Sequence, residues 1–436
     1  MIGVSGGSMG LATMAGPMAE SDRAALAVLV STDGIGPVTL ERLLAAAGPP
    51  SRALELAGRP DGRRRLVRAM TRSVGRRLPD GLDAVLAAAS AGRERVLERI
   101  AALDLRVVVE ADDAYPARLR TIEMPPAVLF VRGAPAALNE RRAVAVVGTR
   151  RPTDAGRRIA SRIGMALARA GAVVVSGLAL GVDGAAHAAV LEGGGRTVAF
   201  IGGGHGRLFP FAHDRLAEAI ADAGGAVVSE YGPDVAPTKG TFPRRNRLIS
   251  GAADAVVVVE AGARSGALVT ASWALEQGRE CFVVPGSIDA PMSAGCLGFL
   301  RDWPGAARIV AGIPQLLDDL GLPADAALPR PAPGPIAPGS AVRPASADAT
   351  IRALDPADEP VAVAVVRGAA TVDELVAVTH RTVPDVLAAL TRLEAVGLVR
   401  GSYGRYAATG DLGLAAAPPR RRRIGTAPPA ALPPAA

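Results

Sequence analysis

The chain has 436 residues, 49% of them hydrophobic, and a formal net charge of +7, so we expect roughly two or three domains with a sizeable core and an anionic partner. Its two cysteines cannot form a disulfide scaffold or a zinc site alone, which favours a reducing cytoplasm. The sequence shows neither a signal-peptide pattern at its start nor an apolar run long enough to span a membrane.

The N-terminal part predicts a disordered segment at 1–21 and a helical domain at 22–104. Helical apolar spacing is present in AALAVLV, LERLLAAAG and LDAVLAAAS. The turn in DGIGPVTLERLL resembles a helix-hairpin-helix (a SAM-like region), in which Gly34 and Gly36 would allow N–H groups to face a phosphate. An ordinary turn between two helices accounts for the same pattern.

Residues 105–318 predict a different class of structure. Short, continuously apolar runs alternate here with helical segments such as RRIASRIGMALARAG. Continuous apolarity indicates strands that are buried on both faces, hence a parallel sheet built of βα units. The sequence therefore predicts an α/β, Rossmann-like doubly wound domain. The runs are AVAVV (143–147), AVVVS (172–176), TVAFI (197–201), AVVSE (226–230), AVVVVE (255–260) and CFVVP (281–285).

The C-terminal part predicts a linker, a small domain and a tail. Residues 319–350 are rich in proline and alanine, which is typical of a linker. Residues 351–410 read as two helices followed by a short β-wing, hence a winged helix. Residues 411–436, which include Arg420 to Arg423, are predicted to be a disordered basic tail.

The segments after the strands carry the candidate chemistry, because ligands of open α/β sheets bind at the carboxyl ends of the strands. A P-loop is excluded, because Lys239, the sole lysine, precedes a glycine. The first turn, GTRRPTDAG, lacks the GxGxxG pattern of NAD-binding domains. Ser265 lies in GARSG rather than in the GxSxG motif of a catalytic serine. His205 and His213 suit structural or stacking roles better than metal ligation. The sequence therefore predicts no cofactor, no metal and no catalytic set.

A binding site remains. The segment Gly148 to Arg151 and the pair Ser265 and Gly266 each open a helix, where N–H groups can meet an anion. Cations and an aromatic ring follow the fourth predicted strand: Lys239, Arg244, Arg245, Arg247 and Phe242. A basic track beside stacking surfaces is how single-stranded nucleic acid is held without sequence reading. The alternative is a solvated face whose arginines pair with helix carboxylates.

Several blocks in this region resemble, in order, the motifs of the DNA-processing protein DprA (Smf) family. They are YPARLRTIEMPPAVLFVRG, VAVVGTRRPTDAG, VVSGLALGVDGAAHAAVL, SEYGPDVAPTKGTFPRRNRLISGAADAVVVVEA and SGALVTASWALEQGRECFVVPGS. The resemblance implies a dimeric protein that binds single-stranded DNA, loads the recombinase RecA onto it and protects incoming DNA during natural transformation. It implies no enzymatic activity.

The resemblance also implies which residues face DNA. Together with Arg151 and Lys239 from the charge pattern, the predicted DNA-binding residues are Gly148, Thr149, Arg150, Arg151, Ser176, Gly177, Lys239, Phe242, Arg245, Asn246, Arg247, Ser265, Gly266 and Thr270. The chain departs from the family pattern at His213 and Leu297, where the family usually has asparagine.

Two rival functions remain. The first is a nucleotide-processing hydrolase of the lysine-decarboxylase-like Rossmann group, whose catalytic glutamate would correspond to Glu276; that residue stands too far from Thr270 for the motif. The second is a regulator that binds duplex DNA through the winged helix. Its second helix offers Arg392 against Asp385 and Glu394, a pattern that suits protein contact better than a major groove.

Overall fold

The structure is a computed structural model that describes residues 18–72, 80–323, 351–352, 354–396, 398–402, 405–408 and 412. Most of three predicted segments therefore lies outside the described residues: 1–21, the linker 319–350 and the tail 411–436. The chain forms two compact units, Met1–Arg330 and Pro331–Ala436.

The first unit begins with helices that precede any strand. Their inward faces bury Leu26, Leu43, Leu54 and Leu86, which are at most 3% exposed. Proline stands at the start of several of these helices, where its missing N–H removes no helical hydrogen bond. The helices are α1 (Glu20–Val30), α2 (Pro37–Ala47), α3 (Pro50–Ala57), α4 (Pro60–Arg72), α5 (Leu82–Ala91) and α6 (Arg93–Ala102).

The rest of this unit is built on one sheet, with nine strands among the described residues. The strands are β1 (Arg106–Val109), β2 (Val128–Gly133), β3 (Ala143–Val147), β4 (Val173–Ser176), β5 (Thr197–Phe200), β6 (Ala226–Ser229), β7 (Ala255–Val258), β8 (Glu280–Val283) and β9 (Ala307–Ile309). Their order is β1-β2-β6-β5-β4-β3-β7-β8-β9. The pairs β1–β2 and β2–β6 are antiparallel, and the others are parallel.

The predicted α/β class and parallel sheet are confirmed. Each of the six predicted apolar runs overlaps one of the strands β3 to β8, and every residue of β3 to β7 is buried. Strands that follow one another in the chain run outward from β3 to β6 on one side and from β7 to β9 on the other. The strand order thus reverses between β3 and β7, which is where open α/β sheets bind ligands.

Helices cover both faces of the sheet. One face packs against α10, α11 and α12 through Leu248, Ala271 and Phe299. The other face packs against α7, α8 and α13. The helices are α7 (Asp154–Arg169), α8 (Val182–Glu192), α9 (Asp214–Asp222), α10 (Thr241–Gly251), α11 (Gly266–Glu276), α12 (Ala294–Asp302) and α13 (Ile313–Asp319).

The N-terminal helices pack on the β1–β2 end of the sheet. Leu26 and Leu29 of α1 share a buried cluster with Val109 of β1 and Phe130 of β2. The carboxylate of Asp112, just beyond β1, pairs with Arg23 of α1. Helices and sheet consequently form one compact unit.

The second unit contains α14 (Glu359–Val366), α15 (Val372–Thr379), α16 (Val383–Ala395) and the antiparallel hairpin β10 (Val399–Ser402) and β11 (Arg405–Ala408). Thr371 and Glu374 form a reciprocal cap at the start of α15. Its core includes Val361, Leu375 and Leu390. Across the described residues of both units, none of the helices is long and apolar enough to cross a membrane.

Candidate nucleic-acid interface

A cavity of about 790 Å³ opens where the strand order reverses, between the ends of β3 and β7. Eleven of the fourteen predicted site residues line it: Gly148, Thr149, Arg150, Arg151, Lys239, Phe242, Arg245, Asn246, Ser265, Gly266 and Thr270. Gly177 lines a small adjoining pocket together with Arg150, Phe242 and Arg245. The fold therefore brings together segments that are separated by more than 100 residues in the sequence.

Two predicted residues do not reach the cavity. Ser176 is fully buried, and its hydroxyl donates to the Val146 carbonyl at 2.6 Å. Arg247 is 1% exposed, and its Nη2 donates to Glu230 Oε2 at 2.7 Å. Both side chains are closed off from solvent by the fold, so neither forms part of the open surface of the cavity.

The sequence suggested an open anion site at the start of α7, after β3. In the structure a carboxylate of the protein itself lies there. The Glu260 carboxylate accepts hydrogen bonds from both N and Oγ1 of Thr153, which in turn caps α7 by accepting from Gly156 N. Thr149 N donates to the Glu260 carbonyl at 2.7 Å. A protein carboxylate therefore already occupies this helix start, which leaves the side chains of Arg150 and Arg151 to meet a ligand.

Arg245 forms part of the cavity floor. It is 4% exposed, and its Nη1 donates to the Phe200 carbonyl at 3.1 Å. Burial lowers the pKa of Arg245 to about 10, and the charge of Asp183 opposes that shift. A Cβ at Gly177 would lie 1.7 Å from Arg245 Nη1, so the glycine provides the space that the guanidinium occupies. Gly177 therefore contributes to the site indirectly, by leaving room for the Arg245 guanidinium.

Asp183 balances the charge of that floor. Its Oδ2 accepts from Gly177 N at 3.0 Å and from Ala179 N at 3.4 Å. Burial raises the pKa of Asp183, while the nearby Arg245 counteracts the rise. Asp183 is the one acidic residue in the lining of the cavity, beside the cations Arg150, Arg151, Lys239, Arg245 and Arg264. The surplus of positive charge suits a phosphate backbone.

Aromatic rings form a strip along one side of the cavity. Arg150 Cζ lies 5.2 Å from the centroid of the Phe242 ring, and the Phe209 ring lies 6.0 Å from the Phe242 ring. Phe211 extends the strip, 6.5 Å from Phe209, and is 74% exposed. Exposed rings beside free cations can stack bases while the cations neutralise phosphates.

The basic cluster 239–247 lies mostly on a helix rather than in a loop. α10 begins at Thr241, so Pro243 occupies the first helical turn, where no N–H is required. Successive residues of a helix point in different directions. Arg244 is exposed, whereas Arg245 points to the cavity floor and Arg247 into the protein.

The sequence prediction omitted three kinds of lining residue. Phe209 is an aromatic residue that follows the third predicted strand, and it is not among the predicted site residues. Arg264 precedes Ser265 in the same predicted loop, and its charge was the available signal. Asp183 and Met292 gave no signal, because only the folded chain brings α8 and the segment after β8 to this cavity.

The histidines lie within hydrogen-bonded structure. His187 is buried and contacts Thr197 Oγ1 at 2.7 Å, and burial lowers its pKa to about 3. His205 donates to the Val227 carbonyl at 3.1 Å, and His213 donates to the Leu178 carbonyl at 2.9 Å. His213 thereby supplies a donor where the family usually has an asparagine amide. Among the described residues, no histidine, cysteine and carboxylate side chains cluster as a metal site would require.

Comparisons with known proteins show which family the sequence resembles. The family model for DNA recombination-mediator protein A matches residues 106–321. The DNA processing protein DprA of Bacillus subtilis is 41% identical over 207 residues, which cover 48% of this chain and 69% of the relative. A putative DNA processing protein DprA of Mycobacterium tuberculosis is 38% identical over 315 residues, 69% of this chain and 76% of the relative.

A solved structure shows the same likeness. The X-ray structure of DNA processing protein A from Streptococcus pneumoniae aligns with a TM-score of 0.55 and 31% sequence identity. The alignment covers 69% of this chain and 99% of that chain.

Proposed function

The chain belongs to the DNA recombination-mediator protein A (DprA/Smf) family, and on that premise we propose that it binds single-stranded DNA in the cavity between β3 and β7. The observation that carries the proposal is the pairing of an exposed cation with an aromatic strip: Arg150 lies over the half-buried Phe242 ring, and the exposed Phe209 and Phe211 rings continue the strip. A single strand can offer its phosphates to the cations and its unpaired bases to the rings. In a duplex the base faces are already stacked.

The proposed residues divide by role. Arg150, Arg151, Lys239 and Arg264 are exposed and neutralise phosphates, and Phe242 stacks a base. Gly148, Thr149, Ser265, Gly266 and Thr270 shape the wall, and Asn246 fixes the start of α11 by donating to the Gly266 carbonyl at 3.2 Å. Ser176, Gly177, Arg245 and Arg247 support the site from within the fold.

The biological role that we propose follows the family. The protein would protect single strands taken up during natural transformation and load the recombinase RecA onto them, acting in the cytoplasm as a homodimer. In this role it binds rather than catalyses. The rival hydrolase requires Glu276 at the cavity, but Glu276 ends α11, about 15 Å along the helix from Gly266, and is exposed.

The finer domain assignments are part of the same proposal. We assign a helix-hairpin-helix or SAM-like fold to the N-terminal helices, and a winged helix to the second unit, where a helix pair precedes the hairpin β10–β11. Arg392 on α16 pairs with Asp358 at 2.6 Å. Because that arginine is already engaged, α16 suits a protein contact better than a major groove.

The direct test compares the affinity of the full chain for a short oligo-dT strand and for a random-sequence duplex. We expect the single strand to bind at least about tenfold more tightly, with little sequence preference, and its affinity to fall with salt by about 0.7 log units per log unit for each neutralised phosphate. Equal affinity for both forms would contradict the assignment of the cavity to single strands.

A further inference from the structure

The most basic stretch of the chain lies outside the cavity. Residues 59–77 contain eight arginines and a single acidic residue, Asp61, in a chain with 49 basic residues among 436. Basic residues are therefore almost fourfold enriched in this stretch. Much of it forms α4 (Pro60–Arg72), which contributes nothing to the proposed site.

α4 is held in a fixed orientation. Leu66 and Met70 on its inner side are 2% and 1% exposed. Gly62 lies so close to α3 that a Cβ there would come within 2.3 Å of the Leu56 carbonyl oxygen. Because the inner side is tightly packed, the backbone positions from which the outer arginines project are fixed.

The described arginines between Arg59 and Arg68 have two different environments. Arg59 pairs with Glu55 at 2.9 Å, and Arg63 donates to the Ala57 carbonyl at 3.0 Å and to Asp83 at 3.3 Å. A second group, Arg64, Arg65 and Arg68, is exposed, and within the described part of the chain none of its members forms a hydrogen bond or ion pair. These three residues, here called the α4 face, present positive charges about one helical turn apart.

The α4 face lacks what a single strand requires. No phenylalanine, tyrosine or tryptophan precedes Tyr115 in the sequence, so nothing in the N-terminal helices can stack a base. Duplex DNA hides its bases and presents one phosphate charge per about 1.7 Å of helix axis, which a row of exposed arginines can meet without reading sequence. We infer that the α4 face binds the phosphate backbone of duplex DNA.

The two DNA-binding surfaces lie at different places on the sheet. The N-terminal helices pack on β1 and β2, whereas the cavity opens beside β3. Four strand spacings, about 19 Å, separate β2 from β3. One molecule can therefore hold a single strand in the cavity and duplex DNA at the α4 face. This inference rests on the proposed function only in taking DNA as the ligand.

The test uses the full chain with the triple change Arg64→Ala, Arg65→Ala and Arg68→Ala. We expect duplex affinity at low salt to fall on the order of tenfold, and the slope of log affinity against log salt to become shallower by about 2.7, since each duplex phosphate contributes about 0.9. Affinity for oligo-dT should stay within about twofold. The probes are a fluorescein-labelled random-sequence duplex and a labelled oligo-dT strand.

Two further variants make the result specific. The control removes the same number of exposed charges from the same helical region through Arg52→Ala, Arg93→Ala and Arg95→Ala, positions interspersed with glutamates on α3 and α6. It should retain duplex binding. Replacing Arg64, Arg65 and Arg68 with lysine keeps the charge and should retain most of the affinity.

Several outcomes would overturn the inference. They are undetectable duplex binding by the unaltered protein, equal losses in the α4 triple variant and its control, and a parallel loss of oligo-dT binding. Unchanged duplex binding in the α4 variant would point instead to an acidic protein as the partner. Failure of the proposed function can be distinguished from failure of this inference. If the proposed function fails, the unaltered protein does not bind oligo-dT, whatever the result with duplex DNA.

Discussion

Replacing Arg247 with alanine is expected to lower the free energy of unfolding by about 3–5 kcal/mol, because it leaves the buried carboxylate of Glu230 without its ion-pair partner. Arg247 is 1% exposed and Glu230 is 9% exposed, and their ion pair measures 2.7 Å. Among the described residues, the second oxygen of Glu230, Oε1, has no hydrogen-bond partner. Without the guanidinium, the Glu230 carboxylate would have to stay charged in the interior or take up a proton.

Denaturant unfolding of the full chain measures this loss of stability. The unfolding is monitored by a spectroscopic signal that reports on the first unit. The matched control is Arg244→Ala, three residues earlier on the same helix but exposed, which should change stability by less than about 0.5 kcal/mol. The double variant Arg247→Met, Glu230→Gln should recover much of the loss, since no charge remains buried. An Arg247→Ala protein of normal stability that binds DNA weakly would instead restore Arg247 to the interface.

Replacing Arg150 with alanine is expected to reduce affinity for single-stranded DNA by about tenfold or more, with the fold intact. Arg150 is exposed at the end of β3, and its guanidinium lies over the Phe242 ring at 5.2 Å. The side chain is thus positioned beside a stacking surface while its donors stay available for a phosphate. Loss of one phosphate contact should also make the salt slope shallower by about 0.7.

Oligo-dT titrations at several salt concentrations provide the measurement. Arg244→Ala again serves as the control, because it removes an exposed arginine near the cavity without removing a lining residue; its effect should be that of a surface charge, below about 1 kcal/mol. Arg245→Ala is a poorer probe, because Arg245 also donates a hydrogen bond to the Phe200 carbonyl and its loss would disturb the fold. Equal losses in the Arg150 and Arg244 variants would mean that binding depends on net charge alone.

The sheet could be predicted because its information is local. Strands buried on both faces, such as AVAVV at 143–147, require continuous apolarity, and that pattern is visible in the sequence. The strands β1, β2 and β9 were missed. Apolar content does not encode pairing direction, so the antiparallel pairs β1–β2 and β2–β6 could not be predicted from it.

The site was predicted to the level of segments but not of individual side chains. Which loops meet follows from the strand order of a doubly wound sheet. Which arginine points outward depends on whether 241–247 is a turn or a helix, and Pro243 is compatible with both. In the structure Arg247 points inward, a direction that the sequence does not show. The partner that buries it, Glu230, lies at the end of a different strand.

Photocrosslinking of the unaltered full chain to an oligo-dT strand that carries one photoreactive thymine shows where a single strand lies on the protein. After digestion with trypsin, we expect the strand to be attached to the peptide 240–244, which contains Phe242. Excess unlabelled oligo-dT should suppress the attachment, whereas excess duplex should not. Attachment confined to the second unit, residues 331–436, or competition by duplex as effective as by single strand would contradict binding of single strands in the cavity.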